Sequence, residues 1–246
     1  MRYYGLSDTG KSRGSNQDAF VMLSKSQKDF LAVVCDGVGG ANHGEVASAT
    51  AIRVMKENYE ESSPFLDLED ARAWLFTSVV AANDTVFKKA QKNTEYKGMG
   101  TTLVACLVCE FGVLVANVGD SRAYTLNEAK TFKMLTKDHT FVANLIQSGE
   151  ISVQESLIHP QRHVITNAVG IWKKIEVDIY EVTKEITTIV LCSDGLHGYV
   201  GEDKVATVVK NEKMLVKTKV ERLIQFADAV GGLDNVTVVI VELNKR

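Results

Sequence analysis

Short apolar runs that end beside an aspartate are the feature that most restricts how this chain can fold. Residues 31–35 read Leu-Ala-Val-Val-Cys, Asp36 follows directly, and three glycines come within the next four positions. Five apolar residues bounded by turn residues predict a buried strand. Such a strand delivers its terminal carboxylate to a fixed place, and the glycines let the backbone approach whatever the carboxylate holds. Taken alone, the stretch is better explained as a strand followed by an ordinary turn.

The same arrangement recurs along the chain. The further aspartates that lie beside apolar, strand-like runs are Asp18, Asp120, Asp194 and Asp234. One such aspartate is weak evidence, because Asp-Gly pairs are common in turns. Together with Asp36, the set predicts that several strand ends converge in one compact domain. Converged carboxylates repel one another and are tolerated only when they are protonated or neutralised by cations.

The chemistry that suits such a cluster is narrow. Oxygen ligands alone favour a hard divalent ion, Mg²⁺ or Mn²⁺, over zinc. Two such ions that share a carboxylate hold a bridging water, lower its pKa and aim it at an electrophile. A phosphoryl group fits, because its oxygens carry charge, and Arg13 offers a planar fork that can clamp it. Since the chain has no GxxxxGK[ST] nucleotide loop and no Gly-x-Ser-x-Gly elbow, metal-assisted hydrolysis of a phosphate ester is the function predicted.

Hydrophobic periodicity predicts both strands and helices. Short β-branched or aromatic runs predict strands at 3–6, 19–23, 30–35, 101–109, 113–118, 122–126, 132–135, 177–182, 187–192 and 236–243. Helical spacing predicts helices from 42 or 43 to about 60, and at about 67–91, 138–148, 202–210 and 216–230. The short connections between the central strands favour antiparallel hairpins. Residues 150–170 are polar and irregular, which is typical of a surface excursion or a functional flap.

Composition excludes several classes of function. The chain has 246 residues, of which 45% are hydrophobic and 24% charged, as is ordinary for a globular protein. A net charge of −3 gives no electrostatic reason to expect a nucleic acid or an anionic membrane as the main partner. No apolar run reaches the roughly 18–20 residues of a membrane span, and the N-terminus lacks the apolar region of a signal peptide. We therefore expect a cytoplasmic protein.

The cysteines agree with a reducing compartment. Each of Cys35, Cys106, Cys109 and Cys192 lies within an apolar run. Cys106 and Cys109 have the CxxC spacing of redox or zinc sites. Residues three apart on a strand face opposite sides, however, and no second pair or nearby histidine completes a zinc set. Buried structural thiols are therefore expected.

Seven motifs, taken in order, give the chain a resemblance to a known family. They are Arg13-x-x-Asn16-Gln17-Asp18, Asp36-Gly37-Val38-Gly39-Gly40, Gly44-Glu45-Val46-Ala47-Ser48, Gly98-Met99-Gly100-Thr101-Thr102, Gly119-Asp120-Ser121-Arg122, Ser193-Asp194-Gly195 and Asp234-Asn235. This series resembles the metal-dependent PP2C (PPM) Ser/Thr phosphatases of bacterial type. The resemblance runs from about residue 7 to residue 239, and seven ordered motifs are far more specific than any one of them.

The resemblance implies one PP2C-like phosphatase domain over residues 1–246, an α+β fold. That fold is a four-layer α-β-β-α sandwich, with two central antiparallel sheets flanked by helices. Two or three divalent ions, Mn²⁺ or Mg²⁺, would lie between the sheets, the third held more weakly by Asp120 and Asp194. The implied metal ligands are Asp36, Gly37 through its carbonyl, Asp194, Asp234, Asp120 and, through water, Asp18. Arg13 would bind the substrate phosphate, and a flap would span about 141–165.

Two positions depart from the family pattern. Many bacterial relatives have a histidine, as a candidate general acid for the leaving alkoxide, where this chain has Ala41. His43 lies two residues later and is the substitute candidate for a catalytic role; the alternatives are a plain helix-entry residue and protonation by metal-bound water. Gln17 stands where many relatives have glutamate, which removes one charge near the second metal. His139 is interpreted as a helix-start residue, and His197 as at most a neighbour of the metal ligands.

Three functions stay open at this point. The first is metal-dependent hydrolysis of phosphoserine and phosphothreonine in proteins, by a monomeric enzyme that opposes a Ser/Thr kinase and needs no nucleic acid or membrane partner. The second is a pseudophosphatase-type module that binds phosphoproteins, supported only by Ala41 and Gln17. The third is a phosphatase of a small phosphorylated molecule. The lack of an obvious deep apolar substrate domain favours a protein substrate over this third function.

Overall fold

A computed structural model describes residues 1–38 and 43–243 of the chain. The strands are β1 (Arg2–Asp8), β2 (Asp18–Ser26), β3 (Asp29–Val38), β4 (Gly100–Thr101), β5 (Leu103–Val108), β6 (Val113–Val118), β7 (Arg122–Asn127), β8 (Phe132–Met134), β9 (Asp178–Glu181), β10 (Ile186–Cys192) and β11 (Val236–Glu242). The helices are α1 (Gly44–Glu61), α2 (Leu68–Lys92), α3 (Phe141–Ser148), α4 (Val153–Ile158), α5 (Asp194–His197), α6 (Glu202–Val209) and α7 (Val216–Ala229), with one 3₁₀ turn at Thr94–Tyr96. Every strand and helix predicted from periodicity has a counterpart here.

The strands form two sheets, which we call the first sheet and the second sheet. The first sheet has the order β1-β11-β10-β7-β8, and the second has the order β2-β3-β5-β6-β9, with the short β4 beside β3. All of these neighbours pair antiparallel, as the short connections predicted. Because β1 lies beside β11, the two ends of the chain meet in the first sheet.

Apolar side chains fill three layers, and the alternation along each strand decides which layer a side chain enters. In β3, Phe30 and Val34 pack against the other sheet, whereas Leu31 and Val33 pack against α1 and α2. On the other side of the molecule, β10 and β11 pack against α6 and α7. The order helix, sheet, sheet, helix confirms the predicted four-layer sandwich.

The cysteines follow the same alternation. All four are buried and free. Cys106 packs between the sheets, and Cys109 packs on the side of α1 and α2, so the CxxC pair faces opposite layers as predicted. Burial raises the pKa of Cys106 to about 12, which leaves no reactive thiolate near neutral pH.

Helix α3 begins three residues later than the predicted span of 138–148. The Asp138 carboxylate accepts two hydrogen bonds from Arg122, at 2.9 and 2.7 Å, and so is held outside the helix. Thr140 caps the helix instead, since its hydroxyl accepts a hydrogen bond from the Ala143 amide at 3.2 Å. Gly149 ends the helix with φ of 77°, as predicted.

The prediction that residues 150–170 are irregular misses one short helix, α4. Ser152 and Glu155 form a capping box that explains its start, because each satisfies the other's backbone amide. Helix α5 was also missed, and it follows β10 directly. Six and four residues are too few to produce a recognisable helical period. None of the described helices is both long enough and apolar enough to cross a bilayer.

Candidate metal centre

Asp18 and Asp36 are direct cross-strand partners in the second sheet. Burial, followed by the charges of neighbouring carboxylates, raises the pKa of Asp36 well above its usual range. The carboxylates that act on Asp36 in this way are Asp18, Asp194 and Asp120. Burial also raises the pKa of Asp18 to about 6, although hydrogen bonds from two hydroxyl groups oppose the shift. The strand register thus brings together two acids that destabilise each other's charge.

The two oxygens of Asp18 have different surroundings. Oδ2 accepts hydrogen bonds from the Ser193 and Thr237 hydroxyls, both at 2.7 Å. Oδ1 is buried and has no hydrogen-bond partner within the described residues. A buried carboxylate oxygen without a partner is costly, and a cation is the partner that suits it. This oxygen and the all-oxygen donor set around it fit the divalent ions that the sequence predicted.

Gly37 lies where the backbone of the second sheet meets the start of α1. Its amide donates to the Gln17 carbonyl at 3.1 Å. A Cβ on Gly37 would stand 2.4 Å from the backbone of Gly44, and a Cβ on Gly44 would stand 2.8 Å from the Gly37 carbonyl oxygen. Both glycines are therefore required by this close approach of two backbone segments. Its two neighbours in the predicted turn, Gly39 and Gly40, lie outside the described residues.

Asp194 follows β10 of the first sheet, and Asp120 lies in the turn that joins β6 of the second sheet to β7 of the first. Asp194 is the first residue of α5, and burial followed by the charge of Asp234 raises its pKa. Burial followed by the charge of Asp194 raises the pKa of Asp120 to about 8. Each of the five predicted aspartates is therefore linked electrostatically to at least one other member of the set.

The aspartates approach one another, but they do not yet form a complete set of metal ligands. In the described part of the chain, no group of three or more His, Cys, Asp and Glu side chains is arranged so that it could hold a metal as it stands. The carboxylates thus influence one another's pKa values without forming such a group.

Arg13 lies beside Asp234, one of the aspartates of the acidic centre. Its Nη2 forms an ion pair with Asp234 Oδ2 at 2.7 Å, and its side chain is about half exposed. The polar loop that carries Arg13 is tied to the start of β11 by Asn235, whose side-chain amide donates to the carbonyls of Thr9 and Ser15. The Asn235 oxygen accepts from the Gln17 amide at 2.8 Å. One asparagine therefore places both the arginine loop and the start of β2.

His43 is placed differently from the aspartates. It precedes α1 in the left-handed conformation, with φ of 62°. Its Nδ1 lies 3.2 Å from Glu45, and its ring meets Tyr96 edge-on. These contacts, together with Glu95 at 4.0 Å, are with acids and an aromatic ring rather than with the predicted metal ligands. Ala41, which stands where many bacterial relatives have a histidine, lies outside the described residues.

The hydroxyl groups that surround the carboxylates were not predicted to do so, and one of them is that of Thr101, whose Oγ1 donates to the Asp36 carbonyl at 2.9 Å. Besides Ser193 and Thr237, they include Thr102, whose Oγ1 accepts from the Asp36 amide at 3.0 Å and contacts Ser121 Oγ at 2.6 Å. Thr102 also breaks the predicted 101–109 strand into β4 and β5. The available signal was a threonine or serine inside or beside an otherwise apolar strand, as at Thr237. Such positions must find hydrogen-bond partners when they are buried.

A separate groove lies between α3 and β9. Its volume is about 630 Å³, and its lining includes His139, Asn167, Trp172 and Asp178. None of the five predicted aspartates lines it. The groove is therefore distinct from the place where the carboxylates meet.

The double-sheet sandwich with acidic strand ends places the chain in a class of solved bacterial phosphatases. The structure superposes on the serine/threonine phosphatase Stp1 from Staphylococcus aureus with a TM-score of 0.91 and 34% identity, over 98% of this chain and 94% of that one. It superposes on the Mycobacterium tuberculosis serine/threonine phosphatase PstP/Ppp with a TM-score of 0.85 and 33% identity, over 99% and 98% of the two chains.

Sequence comparison gives the family. The chain is 36% identical over 238 residues to the Listeria welshimeri serine/threonine phosphatase stp, covering 96% of this chain and 94% of that one. The profile of protein phosphatase 2C matches residues 10–235. The chain belongs to the protein phosphatase 2C family, which is metal-dependent. The predictions of family, fold and a protein Ser/Thr phosphatase are thereby confirmed.

Proposed function

We propose that this chain hydrolyses phosphoserine and phosphothreonine in proteins with the help of two or three divalent ions, Mn²⁺ or Mg²⁺. The residues that would hold the ions are Asp18, Asp36, Asp120, Asp194, Asp234 and Gly37, the last through its carbonyl. The observation that supports this most is the unpartnered Oδ1 of Asp18 beside carboxylates whose pKa values are raised by one another. When bound, divalent cations in such a site supply a nucleophile at neutral pH and offset the charge of a phosphoryl group.

The protein's own groups prepare the carboxylates for this work. The Ser193 and Thr237 hydroxyls hold Oδ2 of Asp18, so that Oδ1 keeps one direction. The Asp36 backbone is held on both sides by Thr102, whose amide donates to the Asp36 carbonyl at 2.8 Å. Fixing the ligands in advance lowers the free-energy cost of arranging them when a cation binds.

Arg13 is proposed to bind the substrate phosphate. One of its terminal nitrogens is engaged by Asp234, which holds the guanidinium beside the acidic centre. Since a guanidinium carries five N–H donors in a rigid fork, donors remain for phosphate oxygens. Its exposure suits a group that meets a large substrate at the surface.

His43 is proposed as the acid that protonates the leaving alkoxide. Glu45 lies 3.2 Å from Nδ1 and Glu95 lies 4.0 Å from Nε2, so both acids can orient the ring, and Nε2, the nitrogen farther from its carboxylate, is the atom that would carry the transferred proton. The test compares leaving groups. His43→Gln should slow hydrolysis of a phosphothreonine peptide, whose alkoxide needs a proton, and leave p-nitrophenyl phosphate unaffected. Equal effects on both substrates would remove His43 from this role.

The finer points of substrate and setting are also proposals. We infer that the substrates are products of a Ser/Thr kinase and that the enzyme acts as a monomer in the cytoplasm, where its free thiols would stay reduced. We further propose that residues 141–165 act as a flap against the protein substrate. The flap exposes Leu157 and Ile158, which are 70% and 82% accessible, and such a surface suits a polypeptide better than a small metabolite.

A metal-dependent assay tests the proposed function. Metal-free protein should be inactive on a phosphothreonine peptide and regain activity with Mn²⁺ or Mg²⁺. Sugar phosphates and nucleotides, tested beside the peptide, should turn over much more slowly. Binding of the phosphopeptide without hydrolysis at any metal concentration would instead support the phosphoprotein-binding module, and preference for a metabolite would support the third function.

A further inference from the structure

The segment Gly119–Asp120 is held from two sides by histidines, of which His139 is buried and His197 half-buried. The Gly119 amide donates to His139 Nδ1 at 3.3 Å, and the His139 amide donates to the Gly119 carbonyl at 3.0 Å. On the other side, His197 Nε2 lies 2.9 Å from the Asp120 carbonyl oxygen. The segment follows the end of β6, and Gly119 has φ of 101°, so the sheet no longer determines its path.

The ring of His139 has one arrangement of its proton that satisfies all of its neighbours. Nδ1 faces two donors, the Gly119 amide and the Asn167 side-chain nitrogen at 2.7 Å, and therefore accepts. Nε2 lies 3.1 Å from Asp178 Oδ2 and therefore carries the proton. The Asn167 amide cannot be turned round, because its nitrogen donates to the Glu176 carbonyl and its oxygen accepts from the Glu176 amide.

The ring of His197 uses the opposite nitrogen. Its Nε2 faces a carbonyl oxygen, which only accepts, so Nε2 must donate. His197 is also the last residue of α5, the helix that begins with Asp194. Its hydrogen bond therefore ties the Asp120 backbone to the helix that carries a second predicted metal ligand.

We propose that His139 and His197 are positioning residues that together fix the Asp120 carboxylate relative to Asp194. This proposal rests on the proposed function in one respect, since it takes Asp120 and Asp194 as ligands of a divalent ion. Each histidine would act through the backbone of Gly119 or Asp120 and not as a metal ligand of its own. Asp120 has to be held in place because its carboxylate and that of Asp194 repel each other, so a loosely held Asp120 would move away from Asp194.

The use of opposite nitrogens allows a matched test with amide side chains. The oxygen of asparagine stands near the position of a histidine Nδ1, and the nitrogen of glutamine stands near that of Nε2. His139→Asn keeps an acceptor for Gly119, whereas His139→Gln removes it. His197→Gln keeps a donor for the Asp120 carbonyl, whereas His197→Asn removes it. The conservative replacement is thus asparagine at one histidine and glutamine at the other.

Calorimetric titration with Mn²⁺ is the first measurement. His139→Gln and His197→Asn should weaken the weakest resolved Mn²⁺ site about tenfold, in the range found when groups that orient metal ligands are lost. His139→Asn and His197→Gln should stay within about twofold of the parent chain. A histidine that only fills space would give the same loss with either amide, and that result would overturn the proposal.

Nuclear magnetic resonance of the metal-free protein is the second measurement. Hydrogen exchange at the Gly119 amide should be faster in His139→Gln than in His139→Asn, and the Asp120 carbonyl carbon shift should move in His197→Asn but not in His197→Gln. If the parent chain binds no Mn²⁺, the proposed function fails, and these two signals alone decide whether the histidines hold the segment. Equal signals within each pair would overturn it.

Asn167→Asp is a further variant for the case that an amide at position 139 prevents folding. It keeps the size of the side chain and replaces the donor that faces Nδ1 by an acceptor. The His139 ring would then have to carry a proton on Nδ1, which conflicts with the Gly119 amide. We expect the same faster exchange at Gly119 and the same loss of Mn²⁺ affinity as in His139→Gln. Unchanged exchange at Gly119 would count against the proposal.

Discussion

The acidic centre and the flap at 141–165 are built in opposite ways. The aspartates of the centre sit at the ends of buried strands from two sheets, and Asp18 and Asp120 are only 9% and 8% exposed. The flap contains two short helices and the irregular segments beside them, and Val153, Leu157 and Ile158 are more exposed than buried. Positions that must hold charge are therefore anchored by the core, whereas the surface proposed to meet the substrate has little packing of its own. Each prediction below tests one side of this contrast.

Loss of a central carboxylate should have the largest effect. Asp36→Asn should lower turnover of a phosphopeptide by more than about a hundredfold, since loss of even an indirect metal partner costs 10–100-fold in affinity or activity. The metal-free variant should unfold at the same or a higher temperature than the parent, because a repelled buried charge is gone. Asp203→Asn, an exposed aspartate of α6, is the control and should change neither property.

If Asp36→Asn lost activity and also unfolded at a much lower temperature, the prediction for Asp36 would be wrong. It would mean that the carboxylate supports the fold rather than only the site.

Removal of one hydroxyl near Asp18 should have a smaller effect. Thr237→Val keeps the shape of the side chain and removes a hydrogen bond of 2.7 Å to Asp18 Oδ2. We expect Mn²⁺ affinity, measured by calorimetry, to fall about tenfold. The matched control is Thr188→Val, at a buried threonine whose partner in β11 is Glu242, at the other end of that strand. If both variants bind Mn²⁺ like the parent, the hydroxyls do not prepare Asp18.

The stability of the metal-free protein should depend on pH because of the carboxyl groups in the acidic centre. Burial raises the pKa of Asp18 to about 6 and that of Asp120 to about 8, above the values of the unfolded chain. The folded state therefore binds more protons, and stability falls as the pH rises through this window. Between pH 6 and pH 8 the metal-free protein should lose on the order of 2 kcal/mol of unfolding free energy, most of it from Asp120.

Denaturant titration at the two pH values measures this loss, and saturating Mn²⁺ should abolish or reverse it. In Asp120→Asn the loss of unfolding free energy between pH 6 and pH 8 should be smaller, because Asp120 has the higher of the two pKa values. A metal-free protein that grows more stable between pH 6 and pH 8 would show that the carboxylates do not repel one another as described.

Changes in the flap should have the smallest effect on stability. Leu157→Ser and Ile158→Ser alter side chains that are 70% and 82% exposed, so the free energy of unfolding should stay within about 0.5 kcal/mol of the parent. The KM for a phosphoprotein should rise several-fold, while kinetics on p-nitrophenyl phosphate should not change. Val142→Ser, at a buried flap residue, is the contrasting variant and should destabilise the protein. Equal effects on both substrates would remove the flap from protein recognition.

Much of the fold could be predicted because its elements are long and regular in pattern. The continuous apolar run of β3 predicts a strand that is buried on both faces. Helix α2 repeats its apolar residues at helical spacing over many turns. The errors fall on short pieces. Helices α4 and α5 contain too few residues to show a period, and α3 starts late because Asp138 binds Arg122, a partner that is distant in sequence.

The acidic centre shows the same division between sequence and tertiary structure. The sequence alone determined that five carboxylates lie at strand ends, since an apolar strand fixes where its terminal residue stands. Only the tertiary structure decided what each carboxylate meets: the register set Asp18 opposite Asp36, and the packing of two sheets set Thr237 on Asp18. The backbone paths decided that His139 and His197 hold Gly119 and Asp120. Such contacts join residues far apart in the chain, and local pattern carries no record of them.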